Sequence, residues 1–171
     1  MKLTVTADTF RLAEVFTISR GSRTEAKVLT VRIGDGAHQG WGECVPYARY
    51  GETLASVSAE IEALPLPLDR AGLQRALPAG AARNAVDCAL WDLEAKRAGK
   101  RVWELAGLPA PGPMITAYTL SLDTPENMRA AAAKHAHRPL LKIKLGTPDD
   151  MPRLEAVRAG APAARIIVDA N

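Results

Sequence analysis

The sequence predicts an α+β domain followed by a run of repeated β–α units. Three observations carry this expectation. An alternating run over residues 26–33 ends at Asp35-Gly36 and is answered by residues 39–44, the pattern of an antiparallel hairpin. A set of helix-forming stretches with start and stop signals then fills residues 53–107. Beyond the proline-rich segment 109–113, strands predicted to start at Ile115, Leu140 and Arg165 lie 25 residues apart, with a helical pattern after each of the first two.

Taken in order, residues 3–5 and 12–18 are β-type runs that join 26–33 and 39–44 in a sheet of about three antiparallel strands. Thr53 is placed to cap a helix to about residue 64, where Pro65-Leu66-Pro67 stops it, and Asp69 a shorter one to residue 77. The longest helix, 81–98, is rich in alanine and leucine and ends at Gly99. A short helix over 101–106 closes at Gly107, and 109–113 reads as a linker. The strand 115–121 then leads into Thr124-Pro125, a cap followed by proline at the first helical position, and a helix to about residue 137. The strand 140–145 leads into Thr147-Pro148, the same cap, and a helix to about residue 159, before a last strand over 165–169. Parallel units of this kind build an open doubly wound sheet or a (β/α)8 barrel. Three strands complete neither and leave apolar edges unpaired, so the chain is expected to be the front half of something larger.

Composition narrows the function. The 171 residues are 47% hydrophobic, and 22 Lys+Arg against 19 Asp+Glu leave a net charge of only +3 without any basic run. Nucleic acid is therefore not an expected partner. No stretch approaches eighteen apolar residues and the start lacks a signal-peptide core, so no membrane association is expected. Cys44 and Cys88 stand far apart, without metal or redox spacing, and are expected to be reduced thiols in a cytoplasmic protein.

The most informative segment is Leu141-Lys142-Ile143-Lys144-Leu145-Gly146. Strand side chains alternate faces, so Lys142 and Lys144 point the same way. Two ammonium groups side by side in a buried strand repel and lose hydration, which lowers a lysine pKa toward a usable general base. A half-exposed edge strand with two solvated lysines is the other reading, and this stretch alone leaves both open. In parallel α/β folds chemistry gathers at the C-terminal ends of strands. Thr119, Lys142, Lys144 and Asp169 all fall there. An aspartate closing an apolar strand suits a hard divalent cation, or equally a cap for the next turn. The lysine pair and Asp169 one unit apart favour a site.

Lys142-Ile143-Lys144 followed by Val168-Asp169-Ala170-Asn171 resembles the enolase superfamily, in its muconate-lactonizing branch. Ser19-Arg20-Gly21-Ser22-Arg23-Thr24-Glu25-Ala26, Gly42-Glu43-Cys44-Val45-Pro46-Tyr47-Ala48-Arg49-Tyr50-Gly51-Glu52 and Ala81-Ala82-Arg83-Asn84-Ala85-Val86-Asp87-Cys88-Ala89-Leu90-Trp91-Asp92-Leu93 resemble the dipeptide epimerases that act on L-Ala-D/L-Glu. The resemblance implies an α+β capping domain over residues 1–112, followed from residue 113 by the first three βα units of a (β/α)8 TIM-type barrel that is incomplete in this chain. It implies an isomerase that removes and returns an α-proton through an enediolate, in cell-wall peptide metabolism. Lys144 would be one acid/base, with Lys142 beside it facing the substrate carboxylate. Asp169 would be the first of three carboxylates around one Mg²⁺. Arg23 would reach the acidic end of the dipeptide, Thr119 would line the pocket, and Tyr50 would sit on a closing loop. A lysine base working beside Mg²⁺ is established chemistry of this superfamily, not something the spacing shows.

The other two carboxylates and an opposing lysine would come from later strands, so this portion alone is expected to be inactive. Other enzymes of the branch (o-succinylbenzoate synthase, N-acylamino acid racemase, muconate cycloisomerase) share the pair and the metal, and a noncatalytic truncated module is the alternative from another class. A small-molecule dipeptide is the expected partner, and a homo-oligomer is left open. His135 and His137, at i and i+2, diverge on a helix and are expected to complement its C-terminal dipole. Trp41, Trp91 and Trp103 are expected in packing roles.

Overall fold

The computed structural model describes residues 1–146, Pro148 and 150–170. It divides into two units, one made of Met1–Phe10 and Ala26–Pro111, the other of Arg11–Glu25 and the chain from Gly112 onward. The runs at 3–5 and 12–18 are one continuous strand, β1 (Lys2–Ile18), which turns at Ser19-Arg20 into β2 (Gly21–Gly34). With β3 (Gln39–Cys44) they form a sheet in the order β1-β2-β3.

In the first unit, the alternation of β2 buries Leu29, Val31 and Ile33, and the antiparallel register sets these opposite Cys44, Gly42 and Gly40 of β3. A short 3-10 turn (Ala48–Tyr50) leads to α1 (Leu54–Glu62), α2 (Arg70–Ala76), α3 (Ala81–Ala98) and α4 (Val102–Leu105). Thr53 caps α1 in a reciprocal box with Ser56, and Asp69 caps α2 by accepting from the Gly72 amide at 2.6 Å, as their sequence positions predict. The inner stripe of α3 (Ala82, Ala85, Val86, Ala89, Leu90 and Leu93) follows the helical period and lies on the sheet.

The close approach of α3 has a specific cause. A Cβ built on Gly40 would fall 2.0 Å from the Ala89 carbonyl oxygen, and one on Gly42 2.0 Å from that of Ala85. Backbone thus lies against backbone. The same helix supplies the free edge of β3 with partners: the Trp41 amide donates to Asp92 at 2.8 Å, and Lys96 donates to the Gln39 carbonyl at 2.8 Å. An exposed edge strand would otherwise offer these groups to another chain. Trp41 itself is 45% exposed, and its packing is with the Arg32 guanidinium, 4.1 Å above its ring.

The second unit holds β4 (Tyr118–Leu120), α5 (Pro125–Lys134), β5 (Leu140–Lys144), α6 (Asp150–Gly160) and β6 (Arg165–Asp169). The strands are parallel, in the order β4-β5-β6. Leu120, Leu141 and Ile143 pack on one sheet face against Met128, Ala132 and Val157 of the helices. Each fully buried Leu, Ile or Val contributes roughly 1.5–3 kcal/mol. Gly160 fits because a Cβ there would lie 2.4 Å from the Arg129 carbonyl. Three expectations shift at element ends. β4 covers only three residues, with Ile115 59% exposed, because no partner strand reaches that far. α5 stops at Lys134 rather than residue 137, with His135 as its C-cap. α6 starts at Asp150, with Pro148 in a turn and the expected cap, Thr147, outside the described residues. Among the described residues no helix is long and apolar enough to cross a membrane.

Gly42→Ala should force α3 away from β3, at a cost of about 1–3 kcal/mol from overpacking; urea unfolding checks this, and an unchanged midpoint would mean the contact is looser than described. The hairpin turn carries a second prediction. The Asp35 carboxyl is held down to about 2, first by the His38 amide, then by the Arg97 guanidinium. Its folded value lies below the ordinary 3.8, so its stabilising contribution is whole above that pH and is lost as pH falls through about 2. The Ala37 and His38 amide shifts, both bonded to Asp35, should titrate with a midpoint near 2 in an NMR series; a midpoint near 4 would contradict the contact.

Candidate active site

The parallel register pairs Thr119 with Lys142 and Lys142 with Ile167, and one row further pairs Lys144 with Asp169. Side chains of paired residues share a sheet face, so Thr119, Lys142, Lys144, Ile167 and Asp169 all project from the side opposite the helix-covered core. β5 is the central strand of the three, which removes the edge-strand reading of the lysine pair. The Lys142 side chain is 33% exposed and that of Lys144 only 15%.

Both ammonium groups converge on one oxygen. Lys142 Nζ lies 2.8 Å and Lys144 Nζ 2.6 Å from Oδ2 of Asp169. The spacing predicts two cations crowding each other; the fold adds an anion between them, which offsets their repulsion and fixes both side chains. Thr119, half-buried on the neighbouring strand, borders this group from the Lys142 side.

Arg23 lies on the β1–β2 arm, Arg11–Glu25, which belongs to the same unit as the lysines. The arm is fastened to the C-terminal end of β4. The Leu122 amide donates to the Thr17 carbonyl at 3.0 Å, and Ser121 Oγ donates to the Val15 carbonyl at 3.0 Å and accepts from the Thr17 amide at 3.4 Å. An ion pair between Lys134 and Glu14 adds a further tie. Sequence reading misses Ser121; its only signal is a hydroxyl at a strand end, and its partners are more than one hundred residues away in the chain. The Arg23 side chain is exposed and, among the described residues, makes no hydrogen bond or ion pair. Tyr50 belongs to the first unit, 76% exposed at the end of the 3-10 turn.

The donor set for a metal on this chain is limited. Among the described residues no three His, Cys, Asp or Glu side chains gather as a metal cluster. Among the described residues Asp169 is the carboxylate that the two lysines share, and Mg²⁺ is held firmly only where several oxygens converge. The residues fit one corner of such a centre. The histidines do not contribute. His135 lies against Tyr118 with ring centroids 4.1 Å apart and tilted by 34°, and burial, with Lys134 and Arg138 nearby, pushes its pKa down, which disfavours the charged form that would complement the helix dipole.

Comparison with known proteins places this geometry. Residues 1–107 match the family described as mandelate racemase / muconate lactonizing enzyme, N-terminal domain. The chain is 46% identical over 162 residues to the L-Ala-D/L-Glu epimerase of Escherichia coli (strain K12), covering 91% of this chain and 50% of that protein. Among solved structures it is similar to an enolase family member from Agrobacterium tumefaciens with homology to dipeptide epimerases, determined with sodium and L-Ala-L-Glu bound. The TM-score is 0.93 at 57% identity, over 99% of this chain and 53% of that one. The dipeptide epimerase of Enterococcus faecalis V583, complexed with Mg and L-Leu-L-Tyr, superposes with a TM-score of 0.85 at 28% identity, over 99% and 52%. The chain thus spans about half the length of the relatives it matches. With its N-terminal domain matched by the family model and its lysine face on a parallel sheet, the chain belongs to the mandelate racemase / muconate lactonizing enzyme family of the enolase superfamily.

Proposed function

We propose that the protein to which these residues belong is a dipeptide epimerase that inverts the α-carbon of the glutamate end of L-Ala-Glu. The observation that carries this reading is the convergence of Lys142 and Lys144 on Asp169, on the sheet face turned away from the helices. The similarity to epimerases acting on L-Ala-D/L-Glu supports the substrate class. Residues 1–112 serve in this reading as the capping domain, and residues from 113 as the opening βα units of a (β/α)8 barrel.

This reading assigns each residue a role. Lys144, the more shielded of the pair, holds its Nζ at a fixed point by its bond to Asp169 and takes or returns the α-proton there once that bond is released. Lys142 keeps a positive charge beside it, which draws the substrate carboxylate to the same face. Asp169 is the residue that would hold Mg²⁺, as one ligand of several. When bound, a divalent cation offsets the negative charge that grows on a carboxylate as its α-proton leaves. Thr119 lines the floor beside Lys142. Arg23, without a partner of its own among the described residues, is assigned to the γ-carboxylate of glutamate, and Tyr50 to the loop that shields the substrate from water. A place in cell-wall peptide metabolism follows from the L-Ala-Glu motif of such dipeptides.

The test is α-proton exchange of L-Ala-L-Glu in D₂O with the full-length protein and Mg²⁺. Lys144→Ala should lower exchange from at least one epimer by about 10²- to 10⁴-fold, the usual contribution of a positioned base; full exchange from both epimers would remove Lys144 from the role. Arg23→Ala should raise KM for L-Ala-L-Glu about tenfold, as expected for a lost charge-assisted contact, while KM for L-Ala-L-Leu stays near wild type. Equal changes with both dipeptides would show that Arg23 does not read the acidic side chain.

A further inference from the structure

We propose that Glu52 is the positioning residue of the substrate loop, tying the turn that presents Tyr50 to the amino end of α3. The proposal rests on the assignment of Tyr50 to substrate made above. The tether is made by both carboxylate oxygens: Oε2 accepts the Tyr47 amide at 3.0 Å, and Oε1 accepts the Ala81 amide at 2.7 Å. One side chain therefore bonds the residue before the 3-10 turn and the first residue of an eighteen-residue helix.

The geometry on both sides is arranged around that carboxylate. Helices α1, α2 and α5 carry their own capping side chains, Thr53, Asp69 and Thr124. The N-cap of α3 is Gly80, which has none, and a Cβ there would lie 3.1 Å from Glu52 Oε1. The absence of a side chain at Gly80 leaves room for a cap that arrives from another segment, where the anion also meets the positive end of the helix. On the loop side, the Tyr50 amide donates to the Tyr47 carbonyl at 2.8 Å and the Gly51 amide to that of Ala48 at 3.0 Å. Gly51 takes the left-handed conformation, φ 75°, that reverses the chain toward Glu52.

The turn itself buries nothing. The Tyr50 ring, 76% exposed, lies tilted against that of Tyr47 at 5.8 Å and borders an open cavity of about 260 Å³ shared with Glu52 and Asn84. Without apolar packing to hold it, the turn depends on hydrogen bonds for a fixed position, and the two to Glu52 are the ones that connect it to the helical core. A loop already held in place spends less binding free energy on ordering when substrate arrives. Loss of the tether should therefore weaken substrate binding more than it slows the chemical step.

The experiment uses the full-length enzyme with L-Ala-L-Glu and compares Glu52→Ala, Glu52→Ala/Gly80→Asp and Glu52→Ala/Tyr50→Ala. Glu52→Ala should raise KM about tenfold with kcat within about twofold of wild type. Gly80→Asp gives α3 a cap of its own, so the melting temperature should recover while KM stays high. Adding Tyr50→Ala should raise KM little further, since the two changes act through one contact. A wild-type KM in Glu52→Ala, or joint recovery of KM and melting temperature with Gly80→Asp, would overturn the proposal and leave Glu52 as a helix cap only. Amide exchange at Tyr47 separates this from the reading it rests on. If the wild-type protein does not turn over the dipeptide, the epimerase reading fails, and the tether stands on faster Tyr47 exchange in Glu52→Ala or falls on unchanged exchange.

Discussion

The in-register parallel pairing of β5 with β6 is the constraint on which the candidate site depends. A strand places alternate side chains on opposite faces, so a slip of one residue would turn Asp169 toward the helix side and leave the two ammonium groups without their shared anion. The register is held from the other face, where Leu141 and Ile143 are fully buried under α5 and α6. Apolar packing on one side thus fixes polar geometry on the other. The ion pairs themselves add little to stability. The Lys142–Asp169 pair, with both side chains near a third exposed, contributes about 0–1 kcal/mol.

The first unit is built around one helix. α3 settles on Gly40 and Gly42, closes the β3 edge through Asp92 and Lys96, and receives at its amino end the carboxylate of Glu52. Glycine on the strand, polar side chains along the helix flank and a missing side chain at its cap serve one purpose, the close and fixed seating of a long helix. The 47–52 segment, which runs from β3 to α1, is joined to that seat through the Glu52 side chain.

The Arg11–Glu25 arm shows how a projecting hairpin is held. Its strands continue from the sheet of the first unit, yet its own contacts run to Ser121 and Leu122 at the end of β4. Arg23 is therefore carried by an arm bonded to the end of a strand that borders the lysines, not by a free loop. The similarity to dipeptide epimerases runs through both the arm and the strands it is bonded to, over about half the length of those proteins.

Much of this was legible in the residues themselves. Period-two alternation, the Asp35-Gly36 turn, the caps at Thr53, Asp69 and Thr124 and the 25-residue rhythm are local signals, and each produced its element because local propensity and tertiary packing agree there. Lys142, Lys144 and Asp169 stood out for the same reason: strand period and strand end are properties of short segments. Element ends were less legible: β4 begins only where its pairing with β5 begins, at Tyr118, and α5 ends at Lys134 rather than residue 137. What the sequence could not hold were the meetings of distant residues. Whether Asp169 separates the two lysines depends on register, whether Ser121 clasps Val15 and Thr17 depends on where a hairpin arm lands, and whether Glu52 caps α3 depends on a space left by Gly80. Those contacts join positions far apart in the chain, with no local pattern to announce them, so only the tertiary structure decided them.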